Sequence, residues 1–373
     1  MATNEREAPI HGDILEAILS HVPLIHLVPA RHVSKSWKRA LSSSLRHVSP
    51  VKPWLTVHTQ SPRAPHVTTS HAYDPRSRSW IQIHAPPSSQ SSSPLRSSHS
   101  TLIYTLSPTG FSFSLDPLGL EWHHAPPPRV WRVDPVVACV GGCIIVAGGA
   151  CDFEDDPLAV EMYDAGSRTW SRCESMPEIL KGSTASTWLS VAVAGDRVHV
   201  TEKNSGVTYS FDSETKSWLG PYELRPEEGV FYCVTGTVRG RLVVAGMVGE
   251  AENVKGVKLW EVKGELGIGS KYWCEELGAM PKAMVAKMKG DDGCGVMASI
   301  SVTTVGDYVY LVNLWEPEEM VVCEFADRGG CAWRSVRNEA VARMERMVFC
   351  GGYVGVEDLE CAVAQKNCKF ALQ

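Results

Sequence analysis

The sequence predicts an all-β ring of six blades, a β-propeller, preceded by a small all-α module, and three observations predict it. First, Trp80, Trp122, Trp170, Trp218, Trp273 and Trp333 advance by 42, 48, 48, 55 and 60 residues, the period of blades made of short strands. Second, an aspartate stands six places before five of them, at Asp74, Asp116, Asp164, Asp212 and Asp327. Tyr73, Leu115, Tyr163 and Phe211 precede the first four, and Phe325 stands near the fifth. Trp273 has Gly267 at that offset, and Trp260-Glu261 fills the role with a longer loop between. Third, turn-competent pairs part β-branched, apolar runs inside the repeats.

Residues 1–8 are polar and read as disordered; 9–47 read as helical. Asp13 with Glu16 three residues on forms a capping box, and Ile14, Leu15, Ile18, Leu19 and Val22 make one apolar stripe beside Ile10. Pro23 stops that helix. Leu24 to Val28, including Leu27, link past Pro29 into a second helix, where Ala30, Val33, Trp37, Ala40 and Leu41 recur at three- and four-residue steps. Helices this few cannot enclose a core of their own, so an exposed apolar face predicts a partner.

The ring should occupy residues 50–358. Blade one takes Trp54 to His58, Val67 to Asp74 and Trp80 to Ile83, one strand short, and Pro86 to Ser100 reads as a mobile Ser/Pro loop. Blade two pairs Thr101 to Leu106 with Gly110 to Leu115. Blade three is the clearest: Val136 to Val140, the Gly141-Gly142 turn, Cys143 to Ala147, then Gly148-Gly149, Tyr163-Asp164 and Trp170. Blades four, five and six turn at Gly195-Asp196, Arg239-Gly240 and Gly306-Asp307. Prolines after the Trp strands, at Pro86, Pro126, Pro177 and Pro281, end outer strands. Met347 to Val356 is the spare strand that closes the ring into blade one, leaving 359–373 as a tail.

The repeated tryptophans read as core between blades, and the repeated aspartates as acceptors for backbone groups in tight turns. Five equivalent turn positions do not offer the unlike environments an acid–base pair needs. His123-His124 is the only histidine doublet, and adjacent strand residues face opposite ways. Phosphate loops, nucleophile elbows and Cys-x-x-Cys pairs are missing from the sequence. No catalytic residue, metal or cofactor is therefore assigned.

The chain carries a formal charge of −6, divided into about +6 before Asp134 and about −12 from there on. A solvated surface accounts for this more simply than a basic partner, and it argues against nucleic acid. The uncharged apolar run Pro135 to Cys151 is broken by two Gly-Gly pairs and suits a hairpin rather than a membrane span. The opening residues hold no apolar signal core, and Cys139, Cys143, Cys233, Cys323 and Cys350 sit in strand patterns as small buried residues. A cytoplasmic or nuclear location follows as an expectation.

Ile10, Ile14-Leu15, Ile18-Leu19, Val22-Pro23, Leu27 and Val33-Ser34-Lys35-Ser36-Trp37 resemble an F-box. Ile10-His11 stands where that family has Leu-Pro, and Ser34 where it has Cys. The repeats resemble kelch, whose Gly-Gly after the second strand survives at Gly148-Gly149. The resemblance implies an F-box/kelch-repeat substrate receptor: the F-box residues, with Val33 and Trp37, would bind a Skp-type adaptor and through it a cullin-RING ubiquitin ligase. The propeller would hold an unknown target protein, with Ala150 to Leu158, Met247 to Gly256 and Lys282 to Gly295 as candidate loops. A kelch scaffold outside any ligase and a propeller enzyme are the alternatives.

Overall fold

The computed structural model describes residues 12–85, 92–150, 156–267, 269–289, 297, 300–326, 330–341 and 345–373. Three helices come first, α1 (Asp13–Ser20), α2 (Leu24–Ala30) and α3 (Lys35–Ser43), the last continued by a wide turn over Ser44–Val48. Blade one follows with β1 (Pro53–Gln60), β2 (Thr68–Asp74) and β3 (Ser79–His84). Blade two holds β4 (Arg96–His99), β5 (Leu102–Ser107), β6 (Gly110–Ser114) and β7 (His123–Ala125). Blade three holds β8 (Val136–Val140), β9 (Cys143–Ala147), β10 (Val160–Asp164) and β11 (Thr169–Arg172). Blade four holds β12 (Leu189–Ala194), β13 (Arg197–Glu202), β14 (Val207–Asp212) and β15 (Ser217–Glu223). Blade five holds β16 (Val230–Val238), β17 (Arg241–Glu250), β18 (Asn253–Gly264) and β19 (Tyr272–Ala279), and α4 (Lys282–Met288) leads out of it. Blade six holds β20 (Ile300–Val305), β21 (Tyr308–Asn313), β22 (Glu319–Phe325) and β23 (Cys331–Arg337). The chain ends with β24 (Arg346–Tyr353), α5 (Val356–Lys366) and β25 (Lys369–Leu372).

Each blade is one antiparallel sheet, and the protein is a six-bladed β-propeller with a small helical region at its N-terminus. β24 lies against β1 along its whole length, from Pro53 opposite Tyr353 to Gln60 opposite Arg346, so the innermost strand of blade one comes from the other end of the chain. Residues beyond 358 are not a free tail. Helix α5 packs its Leu359 and Ala362 on the helical region, and β25 adds a fifth strand outside β3, with Phe370 opposite Ile83. Burial of those apolar side chains, worth about 1.5–3 kcal/mol for a large one, explains why this short segment is ordered.

Neighbouring strands of a blade alternate in direction. Turns between the first and second and the third and fourth strands therefore lie at one end of the ring, and all other connections at the opposite end. The hairpin turns take the geometry their residues demand: Gly141 and Gly142 have φ of +56° and +78° between paired Val140 and Cys143. Gly148 and Gly149 end β9 at φ of +58° and +97°, and a Cβ on Gly149 would stand 2.8 Å from the Val133 carbonyl oxygen. The aspartates accept backbone N–H groups in the third-to-fourth turns: Asp74 from Arg76, Asp116 from Leu118, Leu120 and Glu121, Asp164 from Gly166 and Ser167, Asp212 from Glu214 and Thr215. Those bonds hold the Asp164 and Asp212 carboxyls below the usual carboxylate range. Asp327 lies outside the described residues.

The tryptophans meet the expectation of a core between blades in part: Trp80 is within a core cluster, Trp122, Trp170, Trp218 and Trp333 pack against the edges of others, and Trp273 departs from it. Trp80 is buried, Trp122, Trp170, Trp218 and Trp333 are half-buried, and Trp273 is 58 % exposed. Three act as staples between blades, because an indole N–H leaving water needs an acceptor. Trp80 donates to the Arg337 carbonyl at 2.8 Å, Trp170 to Pro126 at 3.0 Å and Trp218 to Glu174 at 3.2 Å, each on the preceding blade of the ring. Trp122 bonds within its own turn, to Gly119 at 3.0 Å. In blade five Trp260 is buried instead. Trp273 pairs with Lys263, three residues farther along β18, and falls beyond the packed region.

Two further corrections concern loops and helix ends. Of the expected mobile loop 86–100, residues 86–91 lie outside the described residues, but Arg96–His99 forms β4, the innermost strand of blade two. Ser97 and Ser98 on it line a polar channel, so the strand lacks an apolar signature. In the helical region Gly12, not Asp13, is the N-cap of α1, and the Glu16 carboxylate accepts the Ser43 hydroxyl at 2.8 Å instead of closing a capping box. The expected link 24–28 is most of α2, and the second helix begins only at Lys35, where Ser34 caps it by accepting the Trp37 N–H at 3.2 Å.

Candidate functional site

The apolar stripe expected on the helical region divides in two. Leu15, Leu19 and Leu27 point inward and form one core with Leu24, Leu41, Trp54, Ile81, Leu118 and Leu359. They fasten the helices to blade one and α5 and are closed to any partner. On α1 the outer positions are Ile14, 67 % exposed, and Ile18, 45 % exposed. Four residues apart, they stand on one face of the helix. Val33, in the turn before α3, is 60 % exposed, and Val22, Pro23 and Trp37 are half-buried. Ile10 lies outside the described residues.

Beside this apolar surface, Lys35, Lys38, Arg39, Ser42, Ser43, Arg46 and His47 line an open depression of about 610 Å³. The residues recur at three- and four-residue steps on α3 and its continuation, so the helical pattern of basic residues is the signal that could have located it.

The helices are held in a fixed orientation on the ring. Arg76, from the turn between β2 and β3, donates to the carbonyls of Leu19, Ser20 and Val22 at 3.1, 2.8 and 2.7 Å and to Ser49 at 3.2 Å. These include orphan acceptors at the end of α1, where a cation also meets the negative end of the helix dipole. On the other side Arg31 pairs with Glu357 and Glu360 of α5 at 2.9 and 3.2 Å. The helices thus sit at the end of the ring that carries the third-to-fourth turns.

The opposite end gathers the three candidate target loops. The described parts of 150–158 join the second and third strands of blade three, and those of 282–295 cross from blade five to blade six. The expected loop 247–256 is instead the tight end of a hairpin, with 247–250 in β17, 253–256 in β18 and Ala251-Glu252 as the turn. Ile179, Trp188, Leu314 and Trp315, on connections at this same end, are exposed. Between them opens a channel of about 540 Å³ lined by the starts of the inner strands.

At the channel mouth Asp134 accepts Arg96 at 2.7 Å and both the N–H and the hydroxyl of Ser186. Lys203 donates to the Ser186 carbonyl at 2.8 Å, and burial pushes its ammonium down to about 8. Tyr232, also in the lining, is pushed up to about 12 by burial. Sequence reasoning missed this cluster, because its members come from five separate places, β4, the crossings before β8 and β12, the turn after β13 and β16, with no common spacing.

Blade three contains a second buried charge arrangement that the sequence did not reveal. Arg132 meets Glu161 at 2.7 Å and donates to the carbonyls of Val146 and Ala159, while Glu161 accepts the N–H groups of Arg129 and Val130. Every polar group there is matched within the protein, which is the requirement for a structural ion pair. Among the described residues no three His, Cys, Asp or Glu side chains converge to hold a metal, and no helix is long and apolar enough to cross a membrane.

Comparison with known proteins agrees with the architecture. The F-box domain family model matches residues 12–49. The F-box/kelch-repeat protein At1g23390 of Arabidopsis thaliana is 44 % identical over 370 residues, covering 96 % of this chain and 93 % of its own. Kelch repeat and BTB domain-containing protein 13 of Homo sapiens is 26 % identical over 232 residues, 61 % of this chain and 44 % of its own. The putative F-box/kelch-repeat protein At4g34170 of Arabidopsis thaliana is 30 % identical over 132 residues, 33 % of this chain and 41 % of its own.

Proposed function

Because the chain belongs to the F-box/kelch-repeat family, we propose that it is the substrate receptor of a Skp-type, cullin-RING ubiquitin ligase. The adaptor sits on Ile14, Ile18 and Val33, with Val22, Pro23 and Trp37 at the margin, and the target protein sits on the far end of the ring. The observation that carries this reading is the sidedness of the molecule: an exposed apolar helix face is pinned rigidly at one end, while the long connections crowd the other.

The chain performs no bond chemistry in this reading. It raises the local concentration of a target lysine near a loaded conjugating enzyme, and a rigid receptor does this best because it restricts where the lysine can lie. No cofactor is called for, and the cytoplasm or nucleus, where such ligases work, is the proposed location.

The test is co-purification of the full chain with a Skp-type adaptor, wild type against Ile14→Asp and Ile18→Asp. Retention by the wild type and loss in both variants supports the receptor. Failure of the folded wild-type chain to retain the adaptor would leave a scaffold outside the ligase as the better reading.

A further inference from the structure

Arg346 opens β24 and lines the channel at the end remote from the helices. Its guanidinium is half-buried, and among the described residues it makes no hydrogen bond or ion pair. Its nearest charges explain why. Arg96 repels it, and Asp134, the acid within reach, is already committed to Arg96 and to the N–H and hydroxyl of Ser186. Asp134 is itself held in the left-handed region at φ of +54°, a conformation that persists only where neighbours enforce it. Lys203 lines the same mouth, with its ammonium spent on the carbonyls of Ser186 and Thr187.

Other charges border the site without relieving Arg346. Glu202 attracts Lys203 but turns its carboxylate to the N–H groups of Asn204 and Ser205. Glu345 lines the cavity beside Arg346. Around the cations stand the Ser301 and Thr303 hydroxyls, which can donate, whereas those of Ser98 and Ser190 already donate to the carbonyls of Pro135 and Thr235. A guanidinium offers five donors in a planar fork that suits carboxylate and phosphate oxygens. A half-buried guanidinium with no protein acceptor keeps these donors available to a ligand.

We propose that the channel mouth is a receptor for one anionic group, a carboxylate or a phosphate, gripped by Arg346 and the Ser301 and Thr303 hydroxyls, with Lys203 contributing positive charge to the same cavity. The cavity of about 540 Å³ falls in the size range of small-ligand sites, roughly 300–1,000 Å³. The same group could equally be presented on an acidic segment of a target protein, for which exposed Trp188, Leu314 and Trp315 would provide apolar flanks. None of the helical region's residues takes part, so the site stands or falls apart from adaptor binding.

The test uses the full chain and follows tryptophan fluorescence during titration with inorganic phosphate, citrate, an oligo-aspartate peptide and the matching oligo-asparagine peptide. The expected result is saturable, salt-sensitive binding of an anion, weakened about tenfold or more by Arg346→Gln, as removal of a charged hydrogen-bond donor implies. Arg346→Lys should keep part of the affinity, Lys203→Gln should weaken it, and Arg337→Gln on an outer strand should leave it unchanged. Melting temperatures confirm that each variant is folded, and if Arg346→Gln is not, the Arg346→Lys and Lys203→Gln pair decides. Tighter binding of oligo-aspartate than of phosphate and citrate identifies a protein segment as the source, and the reverse order a free small molecule. The site is refuted if the wild type binds none of the anions saturably, if the folded variants bind as well as it does, or if oligo-asparagine matches oligo-aspartate.

Discussion

Arg76 donates from Nη1 to the carbonyl oxygen of Val22 at 2.7 Å, across 54 residues of chain. The same guanidinium takes in Leu19, Ser20 and Ser49, so a single side chain of blade one closes the end of α1 and the start of the link to the ring. The helical region is thereby fastened to blade one.

Arg76→Ala should loosen the helices without unfolding the ring. Losing several charged hydrogen bonds to half-buried carbonyls costs about 2–4 kcal/mol. Limited proteolysis should then cut near residues 44–52 well before the wild type is cut. Equal protection in the variant would show that the apolar core holds the helices unaided.

The divided stripe on α1 predicts opposite outcomes for neighbouring substitutions. Ile14→Asp and Ile18→Asp, at exposed positions, should change stability by less than about 0.5 kcal/mol while reducing adaptor retention. Leu15→Asp and Leu19→Asp would bury a carboxylate among Leu24, Leu27 and Leu41 and should abolish folding of the helical region. Circular dichroism and adaptor retention, measured together, separate the two classes.

Stability should fall between pH 6.5 and 4. His58, His99 and His199 are buried, and burial pushes each imidazole down to about 4, with Arg197 adding to the effect at His199. His58 and His199 occupy matching places in blades one and four, bonded to Ser70 and Ser210 at 2.8 and 2.7 Å. In that window the unfolded chain takes up protons that the folded one refuses, so stability rises with pH and is lost on acidification. The loss is at most about 3.4 kcal/mol for each histidine, at 1.36 kcal/mol per unit over the interval from 6.5 to about 4. Urea midpoints at pH 7.5 and 5 check this, and His199→Gln should flatten the slope; midpoints that do not move would refute it.

Deleting residues 346–373 removes the inner strand of blade one and leaves β1 with an unpaired edge, so the product should aggregate. Deleting 367–373 removes only β25 from the outer edge and should leave a soluble ring that melts earlier. Size-exclusion chromatography of the two truncations distinguishes closure of the ring from simple loss of chain length.

What could be read from the chain follows from which features repeat. The aspartate turns and Gly141-Gly142 were legible because local backbone geometry demands those residue types at those places. β4 was not, since a strand facing a polar channel carries Ser97 and Ser98 where the others carry valine. Nor was the sorting of Leu19 from Ile18: periodicity places both on one stripe, and only contact with Ile81 and Leu359 decides which side is covered. The Arg346 mouth joins strands and turns of different blades that have no sequence relation to one another.

Blade five tests whether tertiary position or repeat spacing decides a tryptophan's role. Trp273 has the place in the ladder, but Trp260 has the burial, at 3 % exposed, and packs against Val230 and Val244 in the core between blades. Hairpin β18–β19 is longer than its counterparts, and it carries Trp273 outward past the neighbouring blade. Trp260→Ala should cost about 3–5 kcal/mol through the cavity it leaves, and Trp273→Ala less than about 1 kcal/mol. Chemical denaturation of the two variants measures the difference directly. Equal costs would mean that the outer position contributes to packing in a way its exposure does not reveal, and the reverse order would restore Trp273 as the core residue of this blade.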